Sequence, residues 1–293
     1  MTSIFHITGG LGKHVASTSV IESYKNTYPE KDIIVSCAYP DVFKNNPNVS
    51  ESLDINRNQY FYKNYIYGKD IEIFAQDPYK QQNHILKRSN LIDTWCDMIG
   101  IQNSSDPILH FNFRELEYAS NIISFNNNLP ILIFQPFGGP LNQQIPYSWT
   151  RDIHPIVAQS IVDKLKDKYN IVHICNPQHP QLNSVTRLDT RLSPMVLFGI
   201  LKHSHRRILI DSCLQHAAKA LNLSSLVVWV ATRPDIFGYT SHNNILPETD
   251  QPLGKINSSL YDYELTGIVE ECPYSSIDEI FSDKLYSIID NNF

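Results

Sequence analysis

Residues 207–230 read RILIDSCLQHAAKALNLSSLVVWV, and this stretch indicates the fold. The apolar run RILI (207–210) predicts a buried strand, and the segment that begins at Asp211 predicts a helix carrying small residues. The apolar run LVVWV (226–230) predicts the next strand. Strands that are apolar throughout and alternate with helices are typical of a parallel sheet covered on both faces. The stretch therefore predicts an α/β fold.

The start of this helix is the strongest candidate for a binding site. Asp211 or Ser212 is a good N-cap, and the backbone N–H groups of 212–214 should point out of the carboxyl edge of the sheet. Free N–H groups at a helix start attract anions, and a diphosphate suits them. His216 lies one turn further on and could reach the same anion. An ordinary capped helix with a buried histidine fits the same spacing.

Other polar residues are expected at the same edge of the second sheet. Thr232 and Arg233 follow the strand LVVWV, and Arg151 precedes a predicted helix. Gly138 and Gly139 form a strand-to-helix loop that lets a ligand approach the backbone closely. Arginine suits phosphate because its planar guanidinium can donate two parallel hydrogen bonds. No Asp-x-Asp pair stands at a strand end, so we expect a phosphate site without a metal.

The amino-terminal half begins with a second strand-and-helix unit. SIFHIT (3–8) predicts a strand, GGLGK (9–13) a turn, 14–27 a helix and DIIVSC (32–37) another strand. Strand, turn, helix and strand in this order form a βαβ unit of a parallel sheet. The turn should lie at the carboxyl edge of its sheet, where ligands of such folds bind.

The string GGLGKH fits neither of two familiar nucleotide motifs. A phosphate-binding P-loop needs glycine at 7 and Ser or Thr at 14, whereas Ile7 and His14 stand there. The dinucleotide pattern is not completed, because position 15 is Val15. A helix start favours neutral imidazole, so His14 facing a cleft could accept a proton from a hydroxyl. A surface histidine or helix cap is the alternative, and Lys13 could hold a phosphate or be solvated.

The remaining segments divide the chain into two domains, 1–128 and 129–293. Residues 44–80 are expected to be irregular, 84–100 to form a helix, and Asn126–Pro130 to be the linker. The second domain continues the α/β pattern, and its last helix is able to pack back on the first domain. Its predicted elements are strands 131–135 and 171–175 and helices 152–169, 193–203 and 277–289. We expect two Rossmann-like domains with parallel sheets facing across a cleft.

Composition limits the class of protein. The chain has 293 residues, of which 42% are hydrophobic, and a net charge of −6, so a folded core is expected and non-specific coating of nucleic acid is not. The five cysteines are scattered without a Cys-x-x-Cys pair, which argues against a disulfide framework or zinc site and for a reducing, cytoplasmic location. No signal peptide or membrane span is expected.

Three parts of the sequence resemble the bacterial ADP-heptose:lipopolysaccharide heptosyltransferases. The first is GGLGKHVASTSVIESYKNTYP followed by DIIVSCAYPDVFKNNPNV, and the second is PFGGP with SWTRD. The third is RILIDSCLQHAAKALNLSSLVVWVATRPDIFGY, which is similar to the family signature DSG..HLAAAL....V.LFG.T.P. The match is loose over most of 1–130 and over 240–293. It is specific over 207–239.

The resemblance implies a GT-B fold and an inverting glycosyltransferase that works without a metal or other cofactor. A nucleotide-diphospho-sugar would act as co-substrate in the second domain, and the acceptor would bind in the first, near Gly10 and Gly12. The family's diphosphate-binding helix start maps to Asp211, Ser212, Cys213 and His216, where Cys213 replaces a glycine. The remaining donor-binding candidates are Gly138, Gly139, Arg151, Thr232 and Arg233.

The identity of the base is left open by a second departure from the family. The family's aspartate in the first loop, its presumed base, falls on Lys13 here. The candidates for the catalytic base are therefore His14 beside it and a nearby acid such as Asp41.

Several alternatives on partner and location stay open. The acceptor could be a glycan, a lipid-linked sugar or a hydroxylated DNA base. A basic groove on the first domain would favour the DNA base, and the residues that could form one are Lys63, Lys69, Lys80, Lys87 and Arg88. A non-catalytic relative that binds a nucleotide or sugar is a further possibility, because the family aspartate is lost. The protein is expected in the cytoplasm, peripherally at the inner membrane face, or in the host cytoplasm if the chain is viral. The sequence does not indicate an oligomeric state.

Overall fold

The structure is a computed structural model and describes residues 1–125, 127–138, 148–189, 191–247, 276–281 and 283–292. Over these residues the chain forms two parallel β-sheets, one from each half, with helices packed against them. The predicted fold class, α/β with two Rossmann-like domains, is therefore confirmed.

The first sheet has its topological switch point beside its first strand. Its strand order is β3-β2-β1-β4, and each neighbouring pair is parallel. The chain thus builds outward from β1 on one side and then crosses to the other side, so the loops after β1 and β4 flank a crevice. The strands are β1 (Thr2–Ile7), β2 (Asp32–Cys37), β3 (Glu51–Asp54) and β4 (Ile71–Phe74); the helices are α1 (Leu11–Thr27), α2 (Gln82–Ile85), α3 (Leu91–Met98) and α4 (Phe113–Ile122).

The second sheet has the strand order of a dinucleotide-binding fold. The order is β10-β9-β8-β5-β6-β7, all parallel, so its switch point lies between β5 and β8. Its strands are β5 (Ile131–Phe134), β6 (Asn170–Cys175), β7 (Thr186–Asp189), β8 (Arg206–Ile210), β9 (Leu226–Val228) and β10 (Asn243–Ile245). Its helices are α5 (Pro155–Leu165), α6 (Pro194–Lys202), α7 (Cys213–Ala220), α8 (Pro234–Phe237), α9 (Ile277–Ile280) and α10 (Asp283–Asn292).

Two helix pairs join the domains. Helix α1 of the first sheet packs against α7 of the second, and α4 packs against α6. The α4–α6 contact is close, because a Cβ at Gly199 would lie 2.8 Å from the Cβ of Ala119. The α1–α7 contact brings the start of one helix against the start of the other. The domain boundary at 128/129 stays a prediction, and α4 contacts the second domain although it precedes that boundary.

The last helix packs on the second domain. Leu285 and Ile289 are buried in the same apolar cluster as Val157 and Ile161 of α5. An ion pair joins Lys164 and Asp290, whose closest nitrogen and oxygen are 3.0 Å apart. The described contacts of this helix are therefore with the second domain and not with the first.

Several boundaries differ from those predicted. The segment 44–80 is not irregular, because it contains β3 and β4, short strands of mostly half-buried side chains that lack an apolar run. The helix predicted over 84–100 is split into α2 and α3, since Lys87 takes left-handed backbone (φ 54°) and Asn90 caps α3. The strand predicted over 226–230 ends at Val228.

Proline and capping explain further differences. The helix predicted from Asp152 begins at Pro155, because His154 before the proline is extended and caps the helix. The helix predicted over 277–289 is interrupted at Phe281, where α9 ends. Helix α4 and the outer strands β7 and β10 were not predicted, because their short, largely polar sequences give no apolar run.

Candidate functional site

A cavity of about 540 Å³ lies between the carboxyl edges of the two sheets. On the first-domain side it is lined by the start of α1, Tyr39 and Tyr79. On the second-domain side it is lined by the loops that follow β5, β6 and β8 and by Thr150, Arg151 and Thr232. The switch points of both sheets thus open into one space, which is where ligands of such sheets bind.

The start of helix α7 faces this cavity. Ser212 occupies the N-cap position with extended backbone, and its side chain makes no capping hydrogen bond within the described structure. Its hydroxyl oxygen instead accepts a hydrogen bond from Gln135 Nε2 at 3.2 Å. Because no side chain caps them, the first N–H groups of the helix are available to an anion, and the helix dipole favours negative charge there.

Two buried polar atoms beside this helix start make no hydrogen bond with any residue that the structure describes. Gln135 is 4% exposed, and its Oε1 accepts no hydrogen bond from any described residue. The Nε of Arg151 likewise makes no hydrogen bond with a described residue and lies 4.0 Å from Asp152 Oδ1, while its Nη2 donates to the carbonyl of Gly138 at 2.8 Å. Both residues line the cavity. A buried polar atom without a partner costs about 1–3 kcal/mol, so these atoms indicate a site for a ligand.

Asp152 shapes the loop that precedes α5. Its carboxylate is buried and accepts hydrogen bonds from the N–H of Gly138 at 3.0 Å and of Ser148 at 2.8 Å. Burial raises the pKa of Asp152 to about 6, against the opposing effects of Arg151 and the two N–H donors. A Cβ at Gly138 would lie 3.2 Å from Ser212 Oγ, so glycine allows this loop to approach the start of α7. Gly139 lies outside the described residues.

His216 is a buried, neutral side chain on the cavity wall. Its Nδ1 lies 2.8 Å from the hydroxyl oxygen of Tyr239, and the ring is 7% exposed. Burial lowers the pKa of His216 to about 3, and His242 nearby acts in the same direction. Near neutral pH this residue could therefore contact an anion only through a hydrogen bond or packing, without a charge.

The first turn of α1, which contains Gly12, packs against the start of α7. A Cβ at Gly12 would lie 3.1 Å from His216 Cδ2, 3.3 Å from Cys213 Cα and 3.5 Å from Cys213 N. Glycine therefore permits the contact between α1 and α7, and its missing side chain leaves unfilled a position 3.5 Å from Cys213 N. A Cβ at Gly10, by contrast, would have no neighbour within 4 Å. Both glycines line the cavity.

Lys13 enters the cavity wall as half of an ion pair. Its Nζ lies 2.7 Å from Asp77 Oδ1, and its side chain is only 4% exposed. The same nitrogen lies 5.2 Å from the ring centroid of Tyr79 and 5.5 Å from that of Trp95. Lys13 is therefore held by an anion and two aromatic rings within the protein.

The two candidate bases from the sequence do not line the cavity. His14 was expected to face the cleft, but its ring is fully buried, with Nδ1 2.9 Å from the carbonyl oxygen of Gly10 and its edge against Tyr39. Burial lowers the pKa of His14, which keeps the ring neutral. Asp41 is exposed on the short 3₁₀ turn Pro40–Val42. Neither group is placed to reach a hydroxyl in the cavity in this conformation.

The remaining predicted donor residues are partly brought together. Asp211, Ser212, Cys213 and Thr232 line the cavity. Burial raises the pKa of Asp211, while Thr232 and Arg151 act in the opposite direction. Arg233 does not line the cavity, because its guanidinium pairs with Asp235, with Nε 2.8 Å from Oδ1.

Several lining or supporting residues were not predicted from the sequence. Gln135 ends an otherwise apolar strand segment, and a polar residue at that position was a usable signal. Asp77 and Tyr79 could not be found, because β4 was not predicted and their place at the sheet edge depends on it. The others are Asp152, Asn176, His179 and Tyr239.

Two further properties bear on the kind of site. The described residues contain no group of three or more His, Cys, Asp or Glu side chains arranged to hold a metal ion. Among the same residues, none of the helices combines the length and apolar character needed to cross a membrane.

Solved structures of glycosyltransferases have this fold, although no family model and no curated protein matches the sequence. A glycosyl transferase of family 9 from Veillonella parvula has a TM-score of 0.69 at 12% identity, over 99% of this chain and 96% of its own. The Escherichia coli ADP-heptose lipopolysaccharide heptosyltransferase II has a TM-score of 0.63 at 13% identity, over 84% and 90%. The E. coli heptosyltransferase WaaC, solved with ADP, has a TM-score of 0.53 at 10% identity, over 83% and 92%. The chain therefore has the two-lobed GT-B fold that these glycosyltransferases share.

Proposed function

We propose that this chain is an inverting glycosyltransferase, a distant relative of the heptosyltransferases, that moves a sugar from a nucleotide-diphospho-sugar to an acceptor hydroxyl. One observation carries the proposal: the uncapped start of α7 lies on the same cavity between the lobes as Gln135 and Arg151, whose Oε1 and Nε make no hydrogen bond with any described residue. N–H donors and a guanidinium suit a diphosphate, and Gln135 Oε1 suits a hydroxyl of the ligand.

The same groups would act on the transition state. As the bond between the sugar and the diphosphate breaks, negative charge develops on the departing nucleoside diphosphate. The α7 N–H groups and Arg151 are fixed before the reaction, so they stabilise that charge without reorganisation. They also supply the positive potential that a divalent metal provides in other transferases. We therefore propose transfer without a metal.

The acceptor is proposed to bind on the first-domain side, beside Gly10 and Gly12. The hydroxyl would attack the anomeric carbon from the face opposite the diphosphate, which inverts that carbon. The similar E. coli protein is a lipopolysaccharide heptosyltransferase, so a lipopolysaccharide-like or other glycan acceptor is the class we propose. We also propose a cytoplasmic location, which the scattered cysteines favour.

Calorimetric titration with ADP and UDP tests the donor site. Wild-type protein is expected to bind one of them, and Arg151→Met to weaken that binding about 10- to 100-fold, since a hydrogen bond to a charged group contributes about 1.5–3 kcal/mol. Arg57→Met is the matched control, because Arg57 is 88% exposed and pairs only with Asp54 in the described structure. Equal loss in both variants, or no binding by wild type, would contradict the donor site.

Turnover distinguishes the enzyme from a non-catalytic relative. Release of nucleoside diphosphate from ADP-heptose, ADP-glucose and UDP-glucose is measured in buffer containing EDTA. The proposal predicts release from at least one donor, undiminished by EDTA, with inversion of the anomeric carbon seen by NMR. Binding without any release would indicate the non-catalytic relative, and a retained anomer would refute the mechanism.

A further inference from the structure

Asp77 lies at the switch point of the first sheet and was not predicted as a site residue from the sequence. The crevice there is flanked by the start of α1, which follows β1, and by the loop after β4; Lys13 lies in the first turn of α1 and Asp77 on that loop. The two residues meet at 2.7 Å although they are 64 positions apart. The ion pair therefore spans the place where a parallel sheet presents its functional groups.

Asp77 is fixed in position and remains reachable. Its Oδ1 accepts hydrogen bonds from Lys13 Nζ and from the N–H of Tyr79 at 3.2 Å. Oδ2 accepts no hydrogen bond from the residues that the structure describes, and the side chain is 29% exposed. Its two hydrogen-bonding partners, Lys13 and Tyr79, both line the cavity. One oxygen is thus held against two residues that line the cavity, and the other makes no hydrogen bond with any described residue; Asp77 itself stands behind Lys13 and Tyr79 and is not among the lining residues.

The other acidic groups are less suitable. Among the described lining residues the one carboxylate is Asp211, which lies on the donor side at the start of α7. A base must stand on the acceptor side, opposite the leaving diphosphate. On that side Asp41 is exposed outside the cavity and His14 is fully buried.

We propose that Asp77 is the proton acceptor of the transfer and that Lys13 is its positioning residue. The assignment rests on the proposed glycosyl transfer. The acceptor O–H bond breaks and its proton passes to Oδ2 of Asp77, while the oxygen forms the new bond to the anomeric carbon. The bond from that carbon to the diphosphate oxygen breaks, and its electron pair leaves with the nucleoside diphosphate. The proton on Asp77 then returns to solvent.

Lys13 and Asp77 depend on each other for their positions. A charge that is 4% exposed requires a partner, and Asp77 supplies it. The pair also limits the rotamers of the carboxylate, which keeps Oδ2 directed away from Lys13. The position that carries the family's presumed base thus holds a cation here, and the carboxylate comes from the neighbouring loop.

Asp77→Asn tests the assignment. Two quantities are measured: the rate at which the protein hydrolyses the nucleotide-sugar donor with water in place of the acceptor, and the affinity for ADP. Water must also lose a proton when it attacks the donor, so no acceptor needs to be known. We expect kcat to fall about 100-fold or more, with the donor KM and the ADP dissociation constant within twofold of wild type. Asp54→Asn is the control, since Asp54 ends β3 at the same sheet edge, is also 29% exposed and pairs with Arg57. It should keep the wild-type rate.

Two further variants separate catalysis from a structural role. Asp77→Ala should regain part of its kcat with added formate, measured at a temperature at which a thermal melt shows the variant to be folded. If Asp77→Asn does not fold, Lys13→Met/Asp77→Asn removes both charges and should fold while remaining about 100-fold slower. Wild-type kcat in a folded Asp77 variant, or no rescue by formate, overturns the assignment alone. A wild-type protein that neither binds ADP nor releases it overturns the proposed function as well.

Discussion

Gly12→Ala is predicted to damage nucleotide binding far more than it damages the fold. The added methyl carbon would lie 3.1 Å from His216 Cδ2 and 3.3 Å from Cys213 Cα, so the α1–α7 contact must open by a few tenths of an ångström. Such overpacking costs about 1–3 kcal/mol. Replacing glycine by alanine within a helix stabilises the folded state by about 1 kcal/mol. The free energy of unfolding should therefore fall by no more than about 2 kcal/mol, within these magnitudes.

The effect on the ligand is larger because of where the methyl group stands. It would lie 3.5 Å from Cys213 N, and a phosphate oxygen bound to that N–H needs to approach to about 2.9 Å. The two groups compete for the same space. Loss of one hydrogen bond to a charged oxygen costs about 1.5–3 kcal/mol, which corresponds to a roughly 10- to 150-fold rise in the ADP dissociation constant.

Calorimetry with ADP and thermal melts of the same samples measure the two effects. Gly10→Ala is the matched control, because it adds the same methyl group to the same loop at a position with no neighbour within 4 Å. It should bind ADP as wild type does. Wild-type affinity in Gly12→Ala, or an equal loss in both variants, would refute the reasoning.

Three other predictions concern protonation and the domain contact. The pKa of Asp152 is raised to about 6 by burial. Between about pH 4 and 6 the folded state therefore binds more protons than the unfolded state. The stabilising contribution of the protonated Asp152 is full below about pH 4 and is lost as the pH rises to about 6. The unfolding free energy of Asp152→Asn minus that of wild type should thus rise between about pH 4 and 6. Urea melts in which this difference does not change with pH would contradict the raised pKa of Asp152. The pKa of His216 is lowered to about 3, so its NMR ring signals should not titrate between pH 5 and 8; a midpoint near 6.5 would contradict its burial. Gly199→Ala should lower the unfolding free energy by about 1–3 kcal/mol through a clash with Ala119. An unchanged denaturation midpoint would contradict this, because it would mean that α4 and α6 can move apart without loss of stability.

The sequence predicts the fold where strands are apolar throughout. The runs that form β1, β2, β5, β6 and β8 are mostly buried, so each contains a core of consecutive or nearly consecutive apolar residues. The short outer strands lie at sheet edges, where half of their side chains meet solvent and no run remains. Their pairing is a tertiary effect, which local sequence does not contain.

The donor side of the site was predictable for a similar reason. The helix start at Ser212 and the loop at Gly138 are local features, and each can be recognised within a few residues. The acceptor side depends on distant contacts: Lys13 meets Asp77 only because β4 pairs with β1. His14 was misplaced because successive helix residues are turned by about 100°, so one position faces the cavity and the next faces the core.

Backbone NMR during an ADP titration tests the central claim most directly. If the start of α7 holds the diphosphate, the amide signals of Cys213 and Leu214 should shift with ADP and reach saturation together with the side-chain amide of Gln135. Adenosine, which lacks phosphate, should leave the two backbone signals in place. ADP that binds while the amides of Cys213 and Leu214 stay unshifted would contradict the claim.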